Sequence, residues 1–265
     1  MNNKKNKIKQ KIKNLNKVAI AYSGGIDSTL LVKISMDALD RKRVLAIMVR
    51  TELVSEYNFK HAVKTLKQIN SSFAILKKSL LCNKKILDNP IDRCYWCKKE
   101  LFSTIINYAR LKGFENILDG TNYNDIKESY RPGIKVLREL NIMSPFADFN
   151  ITKDEIRNWA FDLKLPNWNK PPDSCLATRI PYNKKLEKPE LKAVELAENY
   201  LKILDMAACR VRVIKGLARI EVDKKDFEKI LNRKNRKKII DKFKKLGFKY
   251  ITLDLEGFRS GSIKT

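Results

Sequence analysis

The sequence predicts an α/β protein: an N-terminal parallel sheet wrapped by helices, followed by a small C-terminal α+β domain. Three observations point there. Residues 18 to 34 run from an apolar strand through two glycines into an apolar helix; apolar strands then alternate with helical stretches as far as Asp119; and beyond Pro181 two short strands face each other across a Lys215-Gly216 turn. The 265 residues suffice for one sizeable core or two modest ones, and 43% hydrophobic with 32% charged content is ordinary for a globular chain. The expected divisions are a basic extension over 1–16, an α/β domain over 17–166, and a cysteine loop with a small C-terminal domain over 167–265.

Residues 1 to 17 carry seven lysines and no acid. Ile8, Ile12 and Leu15 have helical spacing, but a frayed terminus is the expectation, and no function attaches to it. The start lacks the apolar core of a signal peptide and no apolar run approaches the length of a membrane span, so a cytoplasmic protein without a membrane partner is expected. A net charge of +26 attracts ATP, phosphorylated substrates and RNA alike, yet 41 lysines against 15 arginines are spread along the chain, so charge alone does not choose among them.

The stretch Val18-Ala-Ile-Ala-Tyr-Ser-Gly-Gly-Ile-Asp-Ser-Thr29 organises the first domain. Val18 to Ala21 read as a buried parallel strand, and Leu30, Leu31, Val32 and Ile34 as a helix packing back onto it. Gly24 and Gly25 therefore sit where strand turns into helix, and their bare backbone N–H groups can close around an oxyanion that the helix dipole also favours. Ser23 and Ser28 can donate hydroxyl bonds to the same anion. Asp27 would repel it unless it works through Mg²⁺ or caps the helix. The Walker lysine is missing, as is the third glycine of a dinucleotide fingerprint. Ser23 to Ser28 instead match the SGGxDS signature of the PP-loop, or N-type, ATP pyrophosphatases, and that resemblance implies cleavage of ATP between its α and β phosphates.

Residues 43 to 50 read as a second strand, Ser55 to Ile69 as a helix and Ser72 to Leu76 as a third strand. Ligands of such sheets bind at the carboxyl ends of the strands, which places Arg50 and Thr51 near the nucleotide. His61, the only histidine, falls inside the helix and reads as solvated or packed. The fourth strand, Asn116 to Asp119, ends in Asp119-Gly120-Thr121-Asn122, with Asp125, Glu128, Tyr130 and Arg131 continuing a polar rim. Thr152 and Glu155 form a capping box for a helix to about Leu163, stopped by Pro166.

Cys94-Tyr95-Trp96-Cys97 precedes a helical stretch to about Leu111. Thiols so spaced can ligate one metal centre, and a helix start lowers thiol pKa. In a cytosolic chain the pair reads as a redox couple, half of a zinc site, part of an iron–sulfur site, or two ordinary buried cysteines. A third partner is available in Cys175, in the proline-bounded loop Pro171 to Tyr182, with Arg179 four residues on to hold a thiolate or an anionic substrate. Three cysteine ligands would leave one corner of a [4Fe–4S] cluster open. Cys82 and Cys209 read as incidental or packed thiols.

Beyond Pro181 a helix from Glu187 to Leu204, strands Cys209 to Ile214 and Leu217 to Val222, a lysine-rich helix from Lys224 to Leu246 and a strand Tyr250 to Leu255 are expected. Arg210 and Arg212 project from one face of their strand, either as a fork for a phosphate or as a charged outer face.

With these residues in view, the series Ser23 to Ser28, Cys94 to Lys98, Asp119 to Asn122, Arg131-Pro132-Gly133, Ser174 to Tyr182, Arg210 to Arg212, Ala218 to Glu221 and Leu253 to Ser262 resembles the LarE family, sulfur transferases of nickel-pincer cofactor biosynthesis, over residues 17 to 262. The resemblance implies adenylation of a carboxylate of pyridinium-3,5-biscarboxylic acid mononucleotide and its replacement by a thiocarboxylate. It assigns ATP and Mg²⁺ to Ser23, Gly24, Gly25, Asp27 and Ser28, with Arg50, Thr51, Asp119 and Thr121 around the nucleotide. It assigns the mononucleotide substrate to Trp96, Arg179, Glu198, Arg210 and Arg212, and catalysis to Cys175, Asp27 and Arg179. Members with only the cysteine matching Cys175 sacrifice its sulfur, whereas Cys94, Cys97 and Cys175 together fit the members thought to bind a [4Fe–4S] cluster. A hexamer built from trimers is also implied; the sulfide donor is not. Two other readings share parts of this pattern: a PP-loop tRNA thiolase, although aromatics are not interleaved with basic runs here, and a non-enzymatic basic iron–sulfur or nucleic-acid-binding protein.

Overall fold

The apolar run Val18–Ala21 becomes the first strand of a computed structural model that describes residues 2–127, 132–170 and 174–259. The chain runs α1 (Asn2–Asn14), β1 (Val18–Ala21), α2 (Ile26–Ala38), β2 (Val44–Arg50), α3 (Glu56–Gln68), β3 (Phe73–Lys77), α4 (Lys84–Leu87), α5 (Arg93–Leu111), β4 (Asn116–Leu118), α6 (Tyr123–Lys127), α7 (Pro132–Glu139), α8 (Pro145–Asp148) and α9 (Lys153–Asp162). It continues through α10 (Lys188–Ile203), β5 (Cys209–Ile214), β6 (Leu217–Val222), α11 (Phe227–Leu231), α12 (Arg233–Lys245) and β7 (Tyr250–Leu253). Two compact units result: 1–51 with 58–80 and 92–173, and 52–57 with 81–91 and 174–265.

The first unit carries a parallel sheet in the order β3-β2-β1-β4, as the alternation of strands and helices predicts. β1 lies between β2 and β4, with Val18 opposite both Val44 and Asn116. Burial from both faces explains its wholly apolar composition. α5 and α7 cover one face through Phe102, Ile105, Ala109, Val136 and Leu137, which pack with Ala19, Ile47 and Val49. Beyond Leu118 a bridge to Met143 extends β4 by one step, Asp119 N donating to Met143 O at 2.9 Å. That bridge brings Ser144 beside Asp119.

The expectation of a frayed N-terminus is corrected. Residues 2–14 form α1, with Ile8 and Ile12 fully buried. Lys9 pairs with Asp37 of α2, Lys11 with Asp148 of α8 and Lys4 with Glu155 of α9, so lysines that would repel one another in isolation find acids from later in the chain. Partial burial lowers the pKa of Lys5, reinforced by Lys9.

The second unit holds a three-stranded mixed sheet, β5-β6-β7, antiparallel between β5 and β6 and parallel between β6 and β7. Lys215 (φ 48°) and Gly216 (φ 81°) form the tight hairpin turn. The single helix expected over 224–246 is broken instead, because Asn232 accepts from the backbone N–H groups of Lys234 and Asn235 and starts α12 anew. The last strand stops at Leu253, where Asp254 accepts from Glu256 N and opens a turn closed by Gly257 (φ 77°). Among the described residues no helix is long and apolar enough to cross a membrane.

Truncating Ile12 to alanine removes a fully buried side chain and is expected to cost ~2–4 kcal/mol of stability. Urea unfolding checks it, and a change within about 0.5 kcal/mol, as at a solvent-exposed site, would mean that α1 does not belong to the core.

Candidate active site

The first cluster forms where β1 and β4 end. Tyr22 N donates to Ile47 O at 2.9 Å, holding the chain in register one residue past β1, and the Tyr22 hydroxyl donates to Ala62 O at 3.3 Å. Burial pushes the pKa of Tyr22 to about 12, so the hydroxyl remains a proton donor at neutral pH. The loop then turns through Gly24 at φ 79°, a left-handed conformation suited to glycine. A side chain there would also meet Ala62, whose Cβ would lie 2.5 Å from the added carbon.

Gly25 is the N-cap of α2 and contributes no side-chain cap, which leaves the first-turn N–H groups to an anion at the positive end of the helix. The hydroxyls of Ser23 and Ser28 lie 3.1 Å apart beside them, with Ser28 Oγ donating to Gly25 O. The Asp27 carboxylate accepts from Asn122 Nδ2 at 3.1 Å and from Lys153 Nζ, the first residue of α9. Gly120 permits this closeness: an added Cβ would sit 2.9 Å from Ser28 N. Asp119 is 5% exposed and accepts from Thr121 N, Thr121 Oγ1 and Ser144 Oγ, the latter two at 2.6 Å. Arg50 closes β2 at the same end of the sheet, its guanidinium 4.6 Å from the Phe59 ring, and Thr51 after it is buried.

The thiols of the CxxC stand at the start of α5, at its second and fifth residues, Cys94 exposed and Cys97 half-buried, on the same helical side at a spacing of three. Trp96 Nε1 donates to Asp92 Oδ2 at 3.0 Å. One residue after Cys97, Lys98 Nζ lies 3.6 Å from Asp119 Oδ2, tying this part of α5 to the end of β4. Among the described residues, no group of three or more His, Cys, Asp or Glu is gathered to hold a metal ion.

The second unit builds a separate polar cluster around Cys175, the residue preceding a single 3-10 turn, Leu176–Arg179. Arg179 is 3% exposed; its Nε and NH2 donate to the two oxygens of Glu198 at 2.8 and 3.1 Å. Its NH1 donates to Ser174 O, Ser174 Oγ, Thr178 Oγ1 and Cys175 O. The guanidinium thus binds the backbone on both sides of the thiol. Arg212 of β5 donates to Thr178 O at 2.7 Å and to Glu221 of β6 at 2.6 Å, while Arg210 donates to Arg259 O and lies 4.5 Å from the Phe258 ring. Both arginines are at least nine-tenths buried, so the charged outer face that the sequence left open is excluded. Glu198 is the carboxylate facing Arg179 and Val211 N, whereas Glu195, one turn earlier, accepts from Glu56 N and pairs with Lys192.

Residues 1–89 match the family model described as NAD synthase. The chain is 39% identical over 257 residues to an uncharacterised protein of Methanocaldococcus jannaschii, covering 97% of this chain and 96% of the relative. An uncharacterised protein of Synechocystis is 35% identical over 94% of this chain and 92% of its own length. The pyridinium-3,5-bisthiocarboxylic acid mononucleotide synthase of Lactiplantibacillus plantarum is 35% identical over 253 residues, 94% of this chain and 90% of the relative. This chain belongs to the LarE family.

Within this LarE-family chain the structure brings Ser23 to Ser28 together with Asp119 and Thr121, and Arg179, Glu198 and Arg212 together around Cys175. Glu128, Tyr130, Arg131, Asp173 and Ser260 to Ser262 lie outside the described residues. Sequence reasoning missed Lys153, Asn122 as a partner of Asp27, Ser144, Lys98, and Asn167, whose Nδ2 donates to Gly24 O and Thr29 Oγ1. Lys153 was within reach, because it follows the N-cap Thr152 of a recognised capping box. Ser144 and Asn167 carry no local signal.

Lys153→Met removes the cation that holds Asp27 at the phosphate loop and is expected to weaken binding of α,β-methylene-ATP by about tenfold or more, since hydrogen bonds to charged groups contribute ~1.5–3 kcal/mol. Calorimetric titration measures it, with Lys153→Arg retaining most of the affinity. An affinity within about twofold of the parent would separate Lys153 from nucleotide binding.

Proposed function

We propose that this protein is an ATP-dependent sulfur transferase that adenylates a carboxylate of pyridinium-3,5-biscarboxylic acid mononucleotide and converts it to a thiocarboxylate. The observation that carries the reading is the Arg179 brace, which fixes the backbone around Cys175 and, through Thr178, joins it to Arg212. The Cys175 segment and the buried Arg212 are thereby tied together, and Arg210, two residues earlier on the same strand, is buried as well, which supports a role for the two arginines toward a phosphate monoester. The name of the Lactiplantibacillus relative gives that protein's product, a pyridinium bisthiocarboxylic acid mononucleotide, which supports a carboxylate mononucleotide as the substrate here.

In the first half of the reaction the backbone N–H groups of α2 and the hydroxyls of Ser23 and Ser28 bind the β and γ phosphates of ATP. Asp27 and the phosphate oxygens would hold Mg²⁺, a hard cation that takes oxygen ligands and neutralises the departing pyrophosphate. A carboxylate oxygen of the substrate attacks the α-phosphorus, the bond to the β-phosphate oxygen breaks, and an acyl adenylate forms. Arg210 and Arg212 bind the mononucleotide phosphate, with Trp96 as a further substrate contact, and Arg179 positions the Cys175 segment through its bond to Glu198. A sulfur nucleophile then adds to the activated carbonyl and AMP leaves with the bonding electrons, a far better leaving group than oxide.

Cys94, Cys97 and Cys175 would hold a [4Fe–4S] cluster. Soft thiolates are the donors such a cluster takes, the CxxC spacing sets two of them on one helical turn, and three ligands leave one iron open. Bound there, the cluster would supply a sulfide at that open iron.

Anaerobically purified protein given ATP and the biscarboxylate mononucleotide is expected to release AMP and pyrophosphate, with Arg210→Ala raising the KM for the mononucleotide about tenfold or more, the scale of one lost charge-assisted contact. The same preparation should carry iron and labile sulfide that Cys97→Ser largely loses. ADP as product, AMP release indifferent to the carboxylate, a full cluster in the variant, or zinc in the parent would contradict the proposal.

A further inference from the structure

Glu221 of β6 has no exposed surface, and the reaction proposed above gives it no part. Its Oε1 accepts from two guanidiniums at once: Nε of Arg212 on β5 at 2.6 Å, and NH2 of Arg219, two residues earlier on its own strand, at 3.0 Å. In the strand register Arg212 stands directly opposite Arg219, and Arg210 directly opposite Glu221. Residues two apart on a strand, and residues facing each other across an antiparallel pair, share a sheet face, so these four side chains form a square on one face. Two arginines directly opposite each other repel. The carboxylate on the diagonal offsets that repulsion and draws Arg212 toward β6, while Asp254, just after β7, lies 3.5 Å from Nε of Arg219. Arg212 is also held a second time, its NH1 donating to Thr178 O at 2.7 Å in the turn that follows Cys175. Because a guanidinium is planar, fixing Nε and NH1 sets the plane and heading of the whole fork.

We propose that Glu221 is a positioning residue for recognition of the substrate phosphate, acting through Arg212 rather than on the ligand. The inference rests on the role proposed above for Arg210 and Arg212 toward the mononucleotide phosphate. Glu221 holds the Arg212 fork in the one orientation that suits a phosphate monoester, and so separates the mononucleotide from the same molecule without its phosphate. A simple charge effect has the opposite sign. Removing a negative charge beside an anion site strengthens anion binding by Coulomb attraction, whereas removing a brace from the binding arginine weakens it. As a buried ion pair Glu221 is not needed for the fold to be stable, since desolvation offsets most of its attraction to the arginines.

The test is calorimetric titration of pyridinium-3,5-biscarboxylic acid mononucleotide, and of the nucleoside that lacks its phosphate, into the parent, Glu221→Gln, Arg212→Gln and the double variant. The parent is expected to bind the mononucleotide more tightly than the nucleoside. In Glu221→Gln the mononucleotide Kd rises about tenfold or more, the scale of one charge-assisted contact, while the nucleoside Kd stays within about twofold. Adding Glu221→Gln to Arg212→Gln produces no further loss, because a brace has no effect once the group it holds is gone. Glu221→Asp keeps the charge but shortens the reach by one methylene; it carries the same expectation and decides the matter if the glutamine variant does not fold. A mononucleotide Kd that is unchanged or lower in the Glu221 variants, an equal loss for the nucleoside, or additive losses in the double variant overturns the proposal. Equal binding of mononucleotide and nucleoside by the parent would instead overturn the phosphate role of the two arginines, and the role of Glu221 with it.

Discussion

The close approach of Gly24 to Ala62 is the constraint on which the first unit depends. A left-handed residue at the end of β1 turns the backbone sharply enough for α2 to start at Gly25, and the absence of a side chain lets α3 lie directly against the loop. Tyr22 and Asn167 secure the two sides of the turn by bonds to Ala62 O and Gly24 O. A β-carbon at position 24 would meet backbone strain and a steric clash together, and neither can relax without moving α3 or the first-turn N–H groups of α2. The loop proposed to take the phosphates is thus built from backbone whose position is fixed by packing.

The second unit solves a different problem, holding charge inside a protein. Arg179 with Glu198 and Arg212 with Glu221 are ion pairs at no more than 5% side-chain exposure. Desolvation of such pairs offsets most of their attraction, so well-packed apolar residues would hold the fold about as firmly. Their geometry matters more than their contribution to stability. Glu198 receives Arg179 and Val211 N, Arg179 grips the backbone on either side of Cys175, and Arg212 grips Thr178. Removing one partner would leave a buried charge uncompensated, at a cost of ~3–5 kcal/mol.

What could be read from the sequence followed local chemistry. The strand–glycine–helix unit, the capping box at Thr152, the hairpin at Lys215-Gly216 and strands β5 and β6 are determined by neighbours a few residues apart. The structure bears them out. Likewise legible was the pairing of Arg210 and Arg212, though not their burial, since period-2 spacing fixes the shared face and not what covers it. The N-terminal helix was misjudged because its partners, Asp37, Asp148 and Glu155, come from distant parts of the chain. Lys224 to Leu246 looked continuous because no proline or glycine interrupts it before Gly247, and the break rests on one asparagine amide. Ser144 and Asn167 reach the loop only through long-range contacts, the Met143 bridge and the return after α9, which no local pattern encodes.

The account's central claim is that the backbone conformation at Gly24 makes the phosphate site. Binding of α,β-methylene-ATP to Gly24→Ala, alone and combined with Ala62→Gly, measures it most directly. Weakening by about tenfold or more in the single variant, one order of magnitude being ~1.4 kcal/mol, with partial recovery in the double variant, is the predicted result. A folded Gly24→Ala protein that binds the analogue as tightly as the parent would contradict it.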